Sequence, residues 1–466
     1  MGFSRLLPGA AGLLLLAACA VPRPPDSATA AAPPQWYAPL PHGGTLADLR
    51  QWWQQFNDPV LVDLVEAAQT VSPTVASAGS RIVQARAART SAQAALLPTV
   101  DGSVSASRGN AQSGVPGIST IVQGGAQAAW EVDLFGGNQA GVDAARARLQ
   151  GAEAGWHDAR VAVAAETANS YLNLRTCERQ LAVARNDARS RAETARLTGL
   201  SADAGFTAPA VAAQARASAA EGSARATQQQ AQCELEIKGL VALSGLPEPD
   251  LRQRLAAPWV EPAGFALIAL PAVPASLLAQ RPDVFQAARE VAAASADVGA
   301  ARADRYPRLG LNGQIAVGFV RAAGVTNDAQ TWSIGPIALN VPIFDAGRRA
   351  ANEDAAVGRY EEAVALYTAR VRQAVREVEQ ALVTLDSARA RNEDARVAVD
   401  GYRTSFIATE ARWRSGLGTL IELEDQRRVL LAAETALVSL QRERIAAWIA
   451  LYRALGGGWQ PPTTGQ

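Results

Sequence analysis

The sequence predicts a mainly α protein with a small β portion. Long coiled-coil helical hairpins are set in two tandem repeats, with four β-strands per chain. Three observations predict this. There is no proline from Ile118 to Ala208, and none again between Pro342 and Pro461. Four short segments alternate apolar and polar residues, the period of a half-buried strand. Landmarks recur 209 to 212 residues apart (98/307, 137/347, 205/416, 243/455), a constant offset that marks internal duplication.

The composition sets limits. The chain has 466 residues with 44 bases and 44 acids. That balance gives no strong pull toward nucleic acid or anionic lipid. Lys238 is the sole lysine, and His42 and His157 are the two histidines. There is no P-loop, no histidine cluster and no histidine beside a Cys or Ser motif, so no catalytic site, metal or cofactor is expected. Apolar residues make up 48% of the chain and aromatics 6%, which suits long helices packed closely through alanine.

Residues 1–18 read as a signal peptide. Arg5 precedes a short apolar run, Leu13–Leu16, which is too short to span a bilayer. Leu16-Ala17-Ala18-Cys19 resembles the bacterial lipobox, which implies a lipid on Cys19. The other reading is an ordinary signal peptide cleaved after Ala18. Residues 19–50, with seven prolines, form an extended tether.

The first repeat is expected over 51–250. Asp58-Pro59 opens a helix that runs with breaks to Leu97 and stops at Pro98. Strands are expected at 99–107 and 123–133, with a Gly/Ser/Pro-rich loop from Gly109 to Ser119 between them. A long hairpin follows over 138–245. Its first helix descends to Thr198, about 60 residues or on the order of 90 Å. Gly199 through Pro209 is expected as the turn. Cys177 and Cys233 have their midpoint at residue 205, inside that turn, so antiparallel helices bring them level. In an oxidising compartment they are expected to form a disulfide; the other reading is two small buried thiols.

A Pro-rich connector, 251–275, leads to the second repeat, 276–458. Arg281-Pro282-Asp283 opens a helix to Ala303. Strands are expected at 309–320 and 332–344, with a polar loop over Arg321–Gln330 and a bulge at Pro336. The second hairpin spans 346–455, and residues 459–466 form a tail. Val357, Val364, Val371, Val378, Leu385, Asn392, Val399, Phe406 and Trp413 fall every seventh residue. A strict seven-residue repeat implies left-handed supercoiling.

Four strands do not close a barrel, and an open sheet edge does not face lipid. The smallest closed barrels need about eight strands. Three chains pooling their strands give a 12-strand β-barrel over an α-helical tunnel, so a homotrimer is expected.

Five motifs then define a resemblance: Trp52-Trp53-x-x-Phe56-x-Asp58-Pro59, Trp130-Glu131-Val132-Asp133-Leu134-Phe135-Gly136, Arg281-Pro282-Asp283-Val284, Pro342-Ile343-Phe344-Asp345-Ala346-Gly347-Arg348 and Ala454-Leu455-Gly456-Gly457-Gly458-Trp459. In that order the chain resembles the TolC-like outer-membrane efflux proteins, in their NodT-type lipoprotein branch, over about residues 50–459. The resemblance implies an exit duct in the outer membrane, anchored by lipid on Cys19 and extending into the periplasm. It also implies a trimer, a periplasmic adaptor (a membrane fusion protein) and an inner-membrane efflux pump that supplies energy.

By the same resemblance, acids after the second turn line the periplasmic aperture. Here those are Glu422, Glu424 and Asp425; Glu422 and Asp425 share a helix face. Trp413 falls where some relatives have a gate tyrosine, and Gly418 stands where one has a gate arginine. The turns at Gly199, Leu200, Gly205 and Phe206 and at Gly416 and Leu417 are candidate adaptor-docking tips. The alternative to a duct is a lipid-anchored periplasmic coiled-coil scaffold without a channel, in which the strands pair within one chain or stay in water.

Overall fold

In the computed structural model, residues 21–30, 32, 37–38, 53, 56, 58–111, 117–259, 278, 280–322 and 324–461 are described. The signal peptide, Cys19, most of the tether and most of the connector lie outside them. We number the helices α1 Pro59–Val71, α2 Pro73–Ala94, α3 Gly137–Asp203, α4 Pro209–Ser244, α5 Glu248–Leu255, α6 Pro282–Ala303, α7 Arg348–Arg414 and α8 Leu420–Ala454. The strands are β1 Thr99–Ala111, β2 Gly117–Val132, β3 Arg308–Ala322 and β4 Val325–Asn340. The protein is mostly helical with one smaller sheet. Both long helices contain 67 residues. No described helix is long and apolar enough to cross a membrane.

The chain divides into two compact units, each drawing on both halves of the sequence. The first holds Met1–Ala30, Ser80–Ala154 and Phe285–Arg370. The second holds Ala31–Gly79, Gly155–Val284 and Val371–Gln466.

The first unit contains the sheet, antiparallel throughout and ordered β1-β2-β3-β4. Its register sorts the side chains by face. Asp101, Gln127, Gln314 and Ser333 form one row across all four strands. On the opposite face, Val100, Ala128, Gly313 and Ile334 form a row, and Gly102, Ala126, Ile315 and Trp332 the next. The pairing shifts between Leu311 and Gly313, where Gly335 and Pro336 of β4 oppose Asn312 alone. This bulge places Ile337 and Leu339 on the same face as Trp332 and Ile334. The apolar face therefore continues to the end of β4. Much of it lies open among the described residues: Ile334 is 93% exposed and Val104 86%.

All four strands outrun the expected segments, and β4 lies earlier, at 325–340 instead of 332–344. The Arg321–Gln330 stretch expected as a loop is mostly paired strand, as are the ends of the Gly109–Ser119 segment. A ladder needs backbone N–H and C=O groups, not apolar side chains, so it extends past the alternating pattern. Val341 to Phe344 leave the sheet as an extended link into α7.

Beside the sheet, α6 packs on α3 through Ala144, Ala147, Ala293 and Ala296. The early tether is docked here. Arg23 pairs with Asp143 at 2.9 Å, and Arg302 donates to the Pro22 carbonyl at 2.7 Å.

The second unit is built on a large core that includes Leu61, Leu64, Tyr171, Leu240, Leu382 and Ile445. Asp58 caps α1, accepting from Val60 N at 3.0 Å and Leu61 N at 3.3 Å, with Pro59 at the first helical position. Its other oxygen accepts from the Tyr171 hydroxyl at 2.5 Å, and Arg175 donates to that hydroxyl at 3.0 Å. Burial first, then the bond to Asp58, pushes the Tyr171 phenol well above its ordinary range. Arg281 explains its motif: it is 6% exposed and bonds Asp283, Glu377 and the Ala454 carbonyl, each within 2.9 Å. In this unit the seven-residue seam is buried at Val371, Val378, Leu385 and Val399. It is half-buried at Asn392, Phe406 and Trp413.

Cys177 on α3 and Cys233 on α4 form a disulfide, with their Cα atoms 5.5 Å apart. Tryptic digestion without reductant should release the two cysteine peptides linked; two free thiols would contradict the bond. Replacing both by serine should lower stability by about 2–4 kcal/mol, read from the denaturant midpoint. Arg281→Ala should cost about 3–5 kcal/mol by removing the buried guanidinium that Asp283 and Glu377 share, again measured by denaturation.

Candidate functional site

The two hairpin tips are built alike. At the end of α3, Gly205 takes a positive φ of 82°, and Phe206 N donates to Ser201 O while Gly205 N donates to Ala202 O, both at 2.9 Å. At the end of α7, Gly416 has φ 76°, with Leu417 N to Arg412 O at 2.8 Å and Gly416 N to Trp413 O at 3.0 Å. Both are Schellman turns, which need a left-handed residue and therefore favour glycine. The residue after each glycine normally folds back onto the helix. Here Phe206 is 86% exposed and Leu417 74%.

Gly199 and Leu200 do not form the turn. They lie inside α3, which continues through Asp203. A helical glycine costs only about 1 kcal/mol, so it does not stop a helix alone. The apex is Gly205, and the two tips are the same length. Leu200 is exposed on the last turns of the helix.

Trp413 is half-buried in the last turn of α7. A Cβ on Gly418 would come within 3.2 Å of Trp413 N, so the chain passes too close there for a comfortable side chain. Thr419 caps α8. Its hydroxyl accepts from Glu422 N at 3.2 Å, and the Glu422 carboxylate accepts from Thr419 N at 3.1 Å. This reciprocal capping box is a role for Glu422 that its pairing with Asp425 did not suggest. Asp425 is exposed and meets Arg428 at 3.1 Å. Glu422 and Asp425 thus share an open face of α8.

Glu424 is separated from them. It turns inward and accepts from Arg191, from the Ser218 hydroxyl at 2.8 Å and from Arg427. Arg191 also pairs with Asp187 at 2.9 Å. Arg427 donates to Thr194 at 2.9 Å and Ser190 at 3.1 Å. The cluster joins α3, α4 and α8. Burial holds the Arg427 guanidinium below its ordinary value; Glu424 opposes that shift and Arg191 adds to it. Gly222 makes room, since a Cβ there would lie 2.8 Å from Arg191 Cδ.

Asp187, Arg191 and Arg427 were not singled out from the sequence, yet the signal was present. Asp187, Arg191, Thr194 and Thr198 are all buried, spaced four, three and four residues apart. Leu420, Leu423 and Arg427 hold the same spacing on α8. Polar residues therefore occupy the buried stripe of a helix, where apolar ones are the rule. Among the described residues there is no His/Cys/Asp/Glu group able to hold a metal ion.

A sheet with an apolar face open on one side and a polar face on the other, continuous with helical hairpins longer than any globular domain needs, defines a channel-forming protein of an outer membrane. Comparison with known proteins identifies which kind. Residues 64–246 and 273–457 match the outer membrane efflux protein family, and the chain belongs to that family. It is 30% identical over 467 residues to the pyoverdine export outer membrane protein OpmQ of Pseudomonas aeruginosa, spanning 97% of this chain and 96% of that one. Its structure is similar to that of the outer-membrane channel OprN, at 29% identity and a TM-score of 0.82 over 95% of this chain and 99% of that one. The CmeC outer membrane channel of Campylobacter jejuni, at 22% identity, shares the fold with a TM-score of 0.82, over 94% of this chain and 96% of that one. The chain is an outer-membrane exit duct for efflux, reaching into the periplasm.

Glu424→Gln should leave two buried guanidiniums with only Asp187 and the more distant Glu410 to balance them. Amide exchange over residues 415–430 should then quicken about tenfold or more, equivalent to at least about 1.4 kcal/mol of local stability. Asp425→Asn, at an exposed pair, should change it by less than about 0.5 kcal/mol.

Proposed function

We propose that three copies assemble into a 12-strand barrel over a helical tunnel and pass small molecules out of the cell. The observation that carries this is the sheet. Its apolar face suits lipid, its polar face suits a water-filled lumen, and among the described residues β1 and β4 each leave an edge without a partner strand. An edge in hydrocarbon must be paired, and another copy of the same sheet supplies the pairing. A lipid on Cys19 would tether the N-terminus to the membrane. The two repeats, 51–250 and 276–458, would each contribute one hairpin of strands and one of helices.

The periplasmic end carries gate and docking in this reading. Glu422 and Asp425 of three chains would stack as carboxylate rings at the constriction, with Trp413 beside them, and select cations. The buried stripe near the tips is polar, so parting it exposes groups that water solvates readily. Phe206 and Leu417 on the turns, with Leu200 on the last turns of α3, would offer apolar contacts to a periplasmic adaptor of the membrane-fusion type. The energy would come from an inner-membrane efflux pump engaged through that adaptor. The pyoverdine exporter OpmQ suggests cargo of small-molecule size.

Protein extracted from outer membrane should have a detergent-corrected mass near three chains; a monomer soluble without detergent would return the scaffold reading. Glu422→Gln keeps the capping box and Asp425→Asn keeps the shape, so the pair removes charge alone. The double variant should cut cation selectivity in planar bilayers several-fold while leaving the trimer intact. Unchanged selectivity would place the gate elsewhere.

A further inference from the structure

The first and last of the sequence motifs meet at a place the duct does not use. A cavity of about 630 Å³ lies in the second unit, where α1, α3 and the end of α8 come together. Small-molecule sites have volumes of about 300–1,000 Å³. Trp53 of the first motif and Trp459 of the last line it, with His157 and Tyr452. Trp53 meets Tyr452 edge-on with ring centres 4.9 Å apart, and His157 lies 6.3 Å from Trp459. Trp53 and Tyr452 are buried, whereas Trp459 and His157 are half-buried and keep part of their rings open.

The backbone is shaped to bring Trp459 there. Gly456, Gly457 and Gly458 take positive φ values of 79°, 61° and 80°. A Cβ on Gly457 would lie 2.4 Å from Val161 Cγ2 and 3.0 Å from the Tyr452 hydroxyl oxygen. Only glycine lets this turn press onto α3 and α8. The Tyr452 hydroxyl donates to the Gly457 carbonyl at 3.3 Å and fixes that side of the cavity.

Glu66, Gln69, Arg160 and Gln460 add hydrogen-bonding groups to the lining. Arg160 is held in place: its guanidinium lies 4.9 Å over the Trp156 ring and donates to Gln69 Oε1 at 3.2 and 3.0 Å. Gln69 Nε2 donates back to the Arg160 carbonyl at 3.0 Å. Glu66 is exposed. One acid and one base balance, so a charged ligand gains little here. A wholly apolar ligand would strip water from Glu66 and Arg160 with nothing in return. The ligand that fits is uncharged, with apolar faces for the rings and edge groups that both donate and accept. A sugar ring has those properties. An acetamido group on the sugar adds an amide donor and acceptor, which Gln69 and Gln460 match.

We propose that this cavity binds a glycan strand of the cell wall, with an N-acetylated sugar ring stacked on Trp459 and its edge groups bonded to Glu66, Gln69 and Arg160. The duct reaches into the periplasm, and the second unit holds helices and no strand among the described residues. The wall lies in that space, so a duct that crosses it meets glycan strands. A contact on each chain would fix the duct to the wall. The site rests on the reading that this helical unit is the periplasmic part of the duct.

Calorimetric titration of the detergent-solubilised protein tests it, with the tetrasaccharide of alternating N-acetylglucosamine and N-acetylmuramic acid as probe. The tetrasaccharide should bind once per chain. Trp459→Ala should weaken it about fivefold, and Trp459→Phe should restore most of the loss. Glu66 is exposed, so Glu66→Ala should keep the fold and weaken binding about threefold. No binding by the unaltered protein would overturn the proposal, as would undiminished binding by both alanine variants. Equal binding of maltotetraose would assign the cavity to free sugars, and equal binding of the wall's peptide stem alone would assign it to peptide; either also overturns it. Conductance in planar bilayers, measured on the same preparations, separates this site from the duct. A conducting protein that binds no glycan loses this site alone, and one that binds glycan without conducting counts against the duct.

Discussion

A backbone N–H or C=O left unpaired in hydrocarbon costs several kcal/mol, and the architecture follows from that penalty. The four-stranded sheet satisfies its interior ladders by pairing β2 of one half of the chain with β3 of the other. Its two edges, on β1 and β4, meet no further strand among the described residues. The alternating faces, the bulge that carries the apolar face past Gly335-Pro336 and the open edges of β1 and β4 all answer to the same requirement. Water on one face and lipid on the other is the arrangement that uses both side-chain sets without burying a polar one.

The helical hairpins meet a different demand. A helix of 67 residues has little propensity-driven stability to spare, so it depends on packing along its length. Apolar seam residues, the Cys177–Cys233 bond and the core around Tyr171 supply that packing in the second unit. Toward the tips the buried stripe turns polar. There Asp187, Arg191, Glu424 and Arg427 replace van der Waals contact with charge-assisted hydrogen bonds. Such bonds hold firmly when complete, and they exchange with water more readily than an apolar seam when parted. Glycine turns and a polar seam at the same end are what the proposed docking and gating would use.

Much of this was legible in the residues because it is local. Asp58-Pro59 dictates a capped helix start, Pro98 and Pro307 stop helices just before strands, and Gly245 ends α4 at a positive φ of 67°. The heptad positions from Val371 to Leu385 are buried where the spacing places them. Errors arose where local signals compete with non-local ones. Gly199 looked like a turn, yet a continuing backbone hydrogen-bond ladder carries the helix past it. The Thr326-Asn327-Asp328 run looked like a loop, yet its backbone pairs with β3. Glu422, Glu424 and Asp425 looked alike in sequence. One closes a capping box, one is drawn into a cluster by residues more than 200 positions away, and one stays in solvent.

By itself, the sequence determined the helical and strand segments, their duplication at a nearly constant interval, the chemistry of the caps and turns and the absence of catalytic motifs. Each follows from periodicity, proline and glycine placement, or residue inventory, all of which act over a few residues. Only the tertiary structure decided the register that gathers Val100, Ala128, Gly313 and Ile334 on one face, the inward turn of Glu424 onto Arg191, and the meeting of Trp53, His157 and Trp459 around one cavity. Those depend on which distant segments lie side by side. Strand pairing and helix packing set that through many small contacts at once, and no short stretch of residues encodes it.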